Sequence, residues 1–193
     1  MFDKPYPLRY LGAKPTLVPN PILITQYSFP AVHRRYMVTF ETFSFGVTAV
    51  KYCGMDERNA KNRFDKIYND DDAFKVITTC LYAMLDYWKR NPAANLSFYA
   101  VPRKFDETIL SGKAFSSPKE KRKFIDRYKR VRFAIYDYAM VNLFSPAYFI
   151  HMRDTKNAVY LLMNRKQTKP KVVANMFGHF LLDNYDMIFS PDS

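Results

Sequence analysis

One strongly amphipathic segment, bordered on both sides by strand-like segments, limits the architectures open to this chain. Its apolar residues recur at intervals of three and four, which predicts a helix with one buried face. The residues of this face are Phe74, Ile77, Leu81, Met84 and Trp88. Asp70–Asp72 precedes the segment and is interpreted as an N-terminal cap, because negative charge is favourable in the first helical turn. Two cations and then Pro92 follow, in the order expected at a helix end.

The segments on either side of this helix have the composition of strands. Tyr36–Tyr52 is rich in Phe, Val, Thr and Tyr, and predicts two strands interrupted near Gly46. Further strands are expected at Arg63–Tyr68 and Leu96–Val101, followed by a hairpin at 148–165 and a last helix after residue 169. This order of elements is that of an α+β domain. We therefore expect an antiparallel sheet of about five to six strands, with two to three helices on one face.

The first thirty residues are rich in proline, which fixes φ and removes a backbone hydrogen-bond donor. Six of the twelve prolines lie here: Pro5, Pro7, Pro15, Pro19, Pro21 and Pro30. An extended N-terminal arm over residues 1–34 is predicted, followed by a single α+β domain over residues 35–193. Because the arm also carries many apolar residues, we expect it either to pack along its own domain or to hold a second subunit.

Positive charge is concentrated in Lys119–Arg132, where eight basic residues and two acidic ones give a local charge of +6. This is half of the formal net charge of +12, and such a directed positive field attracts polyanions. Ser117, Pro118 and Glu120 have the pattern of a capping box, so the segment is expected to begin as a helix. For residues 129–138 the spacing fits a helix and also a strand, and both alternatives stay open.

A nucleic-acid-binding surface is the functional interpretation of this segment, against the common alternative of a solvated helix face. Paired cations at Arg34–Arg35 and Arg165–Lys166 could extend the surface, and rings at Phe98, Tyr99 and Phe124 could stack on bases. The candidate nucleic-acid-binding residues are Lys119, Lys121, Arg122, Lys123, Arg127, Tyr128, Lys129, Arg130, Arg132, Arg103 and Lys104.

The sequence holds no fingerprint of a catalytic or cofactor-binding site. Its five glycines are too scattered for a phosphate-binding loop, and Cys53 and Cys80 form no metal-ligand spacing with the three histidines. We interpret both thiols as reduced and buried. His151 is expected to be a hydrogen-bonded strand histidine, with pairing to Cys80 or Tyr136 as the catalytic alternative. We predict no catalytic residue, no cofactor and no metal, although the run of aspartates is an alternative metal site.

The order of elements also resembles that of known proteins. The segments that carry the likeness are FSFGVTAVKY, DDDAFKVITTCLYAMLDYW, LSFYAV and RFAIYDY, between Phe43 and Tyr138. They resemble small bacterial α+β proteins of unassigned function, and their order is similar to that of the repeats in Pur-type and Whirly-type single-stranded nucleic-acid binders. None of these segments is a diagnostic motif. The resemblance favours binding and implies nothing about catalysis.

Together these patterns predict a non-enzymatic basic protein that binds nucleic acid through backbone charge and aromatic stacking. The alternative is an assembly or interaction protein, of phage or mobile-element type, whose arm grips a partner or a second copy while the basic face meets an acidic protein surface. A third alternative is an enzyme such as a nuclease, with a site assembled from distant residues. Since no 18-residue apolar run occurs, we expect a cytoplasmic protein without a membrane partner.

Overall fold

Seven strands form one open, mixed sheet in the described part of this chain. A computed structural model describes residues 4–18, 20–60, 72–99, 115–185 and 187–192. The strands are β1 Arg9–Pro15, β2 Leu23–Pro30, β3 Arg35–Thr42, β4 Val47–Gly54, β5 Asn95–Tyr99, β6 Phe149–Asp154 and β7 Val159–Asn164. The α-helices of these ranges are α1 Ala73–Arg90, α2 Pro118–Leu143 and α3 Pro170–Tyr185, and a short 3-10 helix spans Met55–Glu57. The strand order β1-β2-β3-β4-β5-β7-β6 bears out the predicted α+β class.

The extended conformation predicted for the first thirty residues is observed at Arg9–Pro15 and Leu23–Pro30, but these two segments are strands of the sheet. β1 pairs with β2, and β2 pairs with β3 along its whole length, from Leu23 opposite Thr42 to Pro30 opposite Arg35. The expected count of five to six strands is therefore wrong. Prolines are compatible with these strands because Pro15 and Pro30 lie at strand ends, where a missing backbone donor is tolerated. The division of the chain at residue 34 stays a prediction, although β2 and β3 pair across it.

The sheet is mixed, and the expectation of a wholly antiparallel sheet is wrong at one position. β4 and β5 are parallel, with Val47 opposite Asn95, while β5 with β7 and β7 with β6 are antiparallel. A parallel neighbour requires a crossover connection, and α1 lies in the segment between β4 and β5. The predicted hairpin at 148–165 is confirmed as β6 and β7.

Helices cover both faces of the sheet, so the expectation that they all lie on one face is also wrong. Alternate residues of a strand point to opposite faces. In β7, Tyr160 and Leu162 belong to the core cluster that contains the buried residues of α1 and α2. Leu161 and Met163 belong to a second cluster, which contains the buried residues of α3. All six residues of β7 are buried, as expected for a strand covered on both sides.

The predicted helix is confirmed as α1, but two details of the prediction are wrong. Ile77, Leu81 and Met84 are buried, but Phe74 is 52% exposed because it lies in the first turn, before the helix reaches the core. Asp72 lies at the N-cap position without a capping hydrogen bond. Its Oδ2 instead accepts from the Tyr6 hydroxyl at 2.6 Å and from the Val32 amide at 3.2 Å, which ties α1 to the N-terminal segment.

Other predictions have mixed outcomes. Gly46 forms the predicted break between β3 and β4 with a φ of 83°, a conformation that favours glycine. The ambiguity over residues 129–138 is resolved, since the whole range is helical within α2. The predicted strand Arg63–Tyr68 lies outside the described residues, and so do Asp70 and Asp71 of the aspartate run.

Candidate nucleic-acid interface

The helix α2 has two halves with different surroundings. Its C-terminal half packs on the sheet through Phe133, Tyr136, Ala139 and Met140, which are all buried. At its N-terminal half every residue from Pro118 to Lys123 is exposed. A helix rises 1.5 Å per residue, so α2 continues for about 22 Å on the N-terminal side of Phe133. Charge and packing are thus separated along a single helix.

Two contacts fix the direction of α2 relative to the sheet. His151 Nε2 lies 2.8 Å from the carbonyl oxygen of Phe144, just after the helix. Arg153 Nε lies 3.0 Å from Asp137 Oδ1, near the last residue of β6. The helix therefore runs antiparallel to β6, and its basic half extends toward the end of the sheet at which β6 terminates.

The predicted capping box is present, with one residue changed. Ser117 Oγ accepts a hydrogen bond from the Glu120 amide at 3.2 Å, and Pro118 occupies the first helical position. The carboxylate of Glu120 accepts from the amide and hydroxyl of Ser116, at 2.7 and 2.6 Å, rather than from the cap residue itself. These hydrogen bonds lower the pKa of Glu120. The sequence did not indicate Ser116, because in a capping box the carboxylate accepts from the amide of the cap residue, which here is Ser117.

Five of the predicted binding residues have described side chains, and all five are exposed. They are Lys119, Lys121, Arg122, Lys123 and Arg127. Among the side chains that the structure describes, none of them forms an ion pair with an acidic group. Tyr128, Lys129, Arg130 and Arg132 belong to the same helix, but their side chains are not described, and Arg103 and Lys104 lie outside the described residues.

These cations oppose the stability of the helix that carries them. Lys119 and Lys121 lie in the first turn, where the helix macrodipole disfavours positive charge. Lys119, Lys123 and Arg127 follow one another at intervals of four, so they share a face, and like charges at that spacing cost about 0.2–0.5 kcal/mol per pair. In α1 the cations Lys89 and Arg90 lie in the last turn, where they are favourable. Helix stability therefore explains Lys89 and Arg90 of α1 and leaves the cations of α2 unexplained.

Part of the predicted extension of this surface is contradicted. Phe98 is buried and stacks on Tyr160, so its ring is unavailable to a base. Phe124 is half-buried against Phe115, with 5.7 Å between ring centroids. The side chains of Tyr99 and Tyr128 are not described.

The two outlying cation pairs lie at opposite ends of the sheet. Arg35 begins β3, at the end of the sheet where β4 terminates, and Arg165 follows β7, at the end where β4 and β5 begin. Because α2 starts beyond the end at which β6 terminates, Arg165 and Lys166 are remote from its basic half. The Arg165 Nε also donates to the carbonyl oxygen of Pro146 at 2.6 Å. Only the pair at Arg34–Arg35 lies at the same end of the sheet as the basic half of α2.

His151 is part of a closed internal network, as the sequence interpretation expected of a strand histidine. A carbonyl oxygen only accepts, so Nε2 donates to Phe144, and Nδ1 then accepts from the Tyr160 hydroxyl at 2.6 Å. Burial lowers the pKa of His151 and raises the pKa of Tyr160 to about 12. Both ring nitrogens are therefore occupied, and the alternative pairing with Cys80 or Tyr136 is not the one observed.

This network predicts a loss of stability in mild acid. The pKa of His151 is lowered in the folded state, so below the ordinary value of about 6.5 the unfolded chain binds more protons. The free energy of unfolding should then fall with decreasing pH, by up to about 1.4 kcal/mol per pH unit. His151→Gln removes this dependence. The difference in the free energy of unfolding between this variant and the wild type should therefore shrink as the pH is lowered from about 7.5 to 5. Urea unfolding at several pH values measures this. His33→Gln, at an exposed histidine, is the control, and a difference that stays constant for His151→Gln would contradict the prediction.

Both cysteines are buried and neither forms a disulfide, as predicted. Burial raises the pKa of the Cys80 thiol, which keeps it protonated and unreactive.

Among the residues that the structure describes, no group of three His, Cys, Asp or Glu side chains could hold a metal ion. No helix in the described ranges is long and apolar enough to cross a membrane.

Comparison with known proteins provides no information on function, so the functional inference rests on the geometry of this chain. No protein-family model, no curated protein and no solved structure matches it. The resemblance to Pur-type and Whirly-type proteins stays a prediction.

Proposed function

We propose that this protein binds nucleic acid, with the basic N-terminal half of α2 neutralising backbone phosphates. The observation that carries the proposal is the exposure of five cations on the N-terminal half of α2, none of whose described side chains belongs to the buried core. Positive charge in this arrangement is costly for the free protein, as the first-turn and like-charge effects show. A polyanion would reverse both effects, because phosphate groups favour helix N-termini and screen the repulsion between the cations.

Two features favour backbone binding over reading of base sequence. The stripe Lys119–Lys123–Arg127 advances about 6 Å per step, which suits a linear array of charges. The stacking contribution expected from Phe98 is removed by its burial. The proposed binding therefore depends mainly on charge, with little sequence preference. We place this activity in the cytoplasm, since two cysteines outside any disulfide suit a reducing compartment.

Fluorescence anisotropy with labelled single- and double-stranded oligonucleotides tests the proposal. The variant Lys121→Gln, Arg122→Gln, Lys123→Gln, Arg127→Gln should bind at least about tenfold more weakly at roughly 50 mM salt. Its slope of log K against log salt should be smaller by about 3 on single strands, at about 0.7 for each phosphate that is no longer neutralised. Circular dichroism verifies that the variant remains folded.

A matched control separates local charge from net charge. The variant Lys14→Gln, Lys166→Gln, Lys169→Gln, Lys171→Gln removes the same four charges from exposed positions outside α2. It should keep most of the affinity and most of the salt slope. Equal losses in the two variants would show that only net charge matters. No binding by the wild-type protein would refute the proposal, and cleavage of the oligonucleotide on addition of a divalent metal would favour the nuclease alternative.

A second candidate function, a protein interaction through the N-terminal segment, is favoured by the loop between β1 and β2. Leu17 is fully exposed there, and Val18 and Ile22 are exposed as well. The loop is held in shape by Thr16, whose hydroxyl lies within hydrogen-bonding distance of the carbonyl oxygens of Val18 and Pro21 and has one proton to donate to them. Asn20 Oδ1 accepts from the amide and hydroxyl of Ser44, at 3.1 and 2.9 Å. A partner, or a second copy of the chain, would bury this apolar tip. Light scattering of the wild type and of Leu17→Ser tests this candidate. If both proteins have the mass of a single chain in solution, self-association through the loop is excluded.

A further inference from the structure

A cavity of about 600 Å³ lies on the face of the sheet opposite α1 and α2. Its walls are α3, the β6–β7 hairpin and the C-terminal segment 187–192. Pockets that bind small molecules typically have volumes of about 300–1,000 Å³. The cavity lies on the opposite face of the sheet from α2, so a ligand bound in it would not depend on the proposed nucleic-acid binding.

Small residues on α3 create the space. Pro170, Ala174, Gly178 and Leu182 follow one another at intervals of four and form the row of α3 that lines the cavity. The short side chains of Ala174 and Gly178 leave the middle of this row hollow. On the opposite wall, Ile150 and Met152 project from the same face of β6, and Met163 projects from β7. The flexible side chains of the two methionines allow this wall to fit hydrocarbon of varied shape.

The third wall is the C-terminal segment, which is fixed by hydrogen bonds to the hairpin. The Ser190 amide donates to Asp154 Oδ2 at 2.9 Å, and Asn157 Nδ2 donates to the carbonyl oxygen of Ile188 at 2.8 Å. Phe189 packs edge-on against Phe177, and its Cβ would lie 3.7 Å from a Cβ added at Gly178. Ile188 and Phe189 therefore form a defined apolar wall of the cavity.

The polar groups of the cavity are arranged along one side. Lys171, Asn175 and His179 are also spaced by four, which forms a second row on α3 beside the hollow one, and all three are exposed. The residues that line the cavity include one lysine and one histidine, and none of them is acidic. The cavity therefore combines an apolar interior with a rim that suits a negative charge.

We infer that this cavity binds a single-chain anionic amphiphile, a molecule with one hydrocarbon tail and one anionic head group. The tail lies between Ala174, Gly178 and the methionines, where apolar surface is removed from water. The head group lies at the rim, where Lys171 supplies the opposite charge and Asn175 supplies an amide donor. A carboxylate and a phosphate head group share this chemistry.

Isothermal titration calorimetry with octanoate, decanoate and dodecanoate, each below its micelle concentration, tests the inference. We expect one site per chain and an affinity that rises about fourfold per added CH₂ until the cavity is filled. Decyl phosphate, compared with decanoate, distinguishes a phosphate-headed lipid from a free fatty acid as the preferred ligand. The absence of saturable binding, or an affinity independent of chain length, would overturn the inference.

Paired variants locate the site. Ala174→Leu fills the hollow and should abolish decanoate binding, whereas Val172→Leu, at a 52% exposed position of α3 outside the cavity, should leave it unchanged. Lys171→Glu, at an exposed position, should weaken decanoate binding by about fivefold or more and leave the binding of 1-decanol unaffected. Lys169→Glu is the matched control. Equal affinities of the wild type and Lys171→Glu for decanoate, or equal weakening by both glutamate variants, would overturn the assignment of the head group to this rim.

Discussion

Deletion of residues 1–30 should yield a chain that no longer folds cooperatively. The deletion removes β1 and β2, and with them the buried aromatic residues Tyr27 and Phe29. Loss of one buried aromatic side chain typically costs about 3–5 kcal/mol, and the net stability of a domain is only about 5–15 kcal/mol. The deletion also leaves β3 without the neighbour with which it pairs along its whole length.

Circular dichroism melting and size-exclusion chromatography of the truncated protein measure this effect. A shorter deletion of residues 1–4 is the control, because it leaves in place the hydrogen bond from the Tyr6 amide to Thr79 Oγ1. The control should melt within a few degrees of the full chain. A sharp melting transition in the protein that lacks residues 1–30 would contradict the assignment of β2 to the sheet.

Replacement of Asp154 by alanine should destabilise the protein by about 3 kcal/mol or more. The side chain is buried, and its carboxylate accepts from the Asn157 amide at 3.0 Å, from Asn157 Nδ2 at 2.9 Å and from the Ser190 amide at 2.9 Å. Removal of the carboxylate takes this acceptor from the amides of Asn157 and Ser190, while Asn157 Nδ2 keeps only the carbonyl oxygen of Ile188. Hydrogen bonds to charged groups each contribute about 1.5–3 kcal/mol, and one of the three holds the C-terminal segment in place.

Urea unfolding of Asp154→Ala gives the change in free energy, with Asp183→Ala as an exposed control at which little change is expected. Equal stability of the two variants would show that the turn and the C-terminal segment do not depend on this carboxylate. Because Ser190 borders the wall made by Ile188 and Phe189, Asp154→Ala should also lower the affinity of the cavity for any ligand.

Features of the fold encoded by neighbouring residues could be predicted from the sequence. The helix α1 follows from apolar residues spaced by three and four, and the start of α2 follows from Ser117, Pro118 and Glu120. Pairing of distant segments could not be predicted in the same way. The prolines of the first thirty residues indicated an extended chain, but no local signal shows that β2 pairs with β3. The spacing in α3 gives its buried face and carries no information about which side of the sheet it covers.

The candidate interface was predicted to a similar degree. Exposure of Lys121 and Arg127 follows from their charge, and the density of cations was visible in the sequence. The burial of Phe98 could not be predicted, because an aromatic residue on a strand has the same local pattern whether it faces a helix or solvent. The cavity beside α3 was missed because Ala174 and Gly178 are significant only once the opposite wall is known.

The two edges of the sheet have a consequence for aggregation. Of the described strands, β1 and β6 are the outermost, and an open edge can recruit strands from other molecules. At β6 the backbone oxygen of Arg153 already accepts from the Asp192 amide at 2.6 Å, so part of this edge is occupied. At β1 the pairing is interrupted between Tyr10 and Gly12, and the strand ends with Lys14 and Pro15. Irregularity, charge and proline all discourage strand addition, so both outer strands of the described sheet carry features that oppose pairing with other molecules.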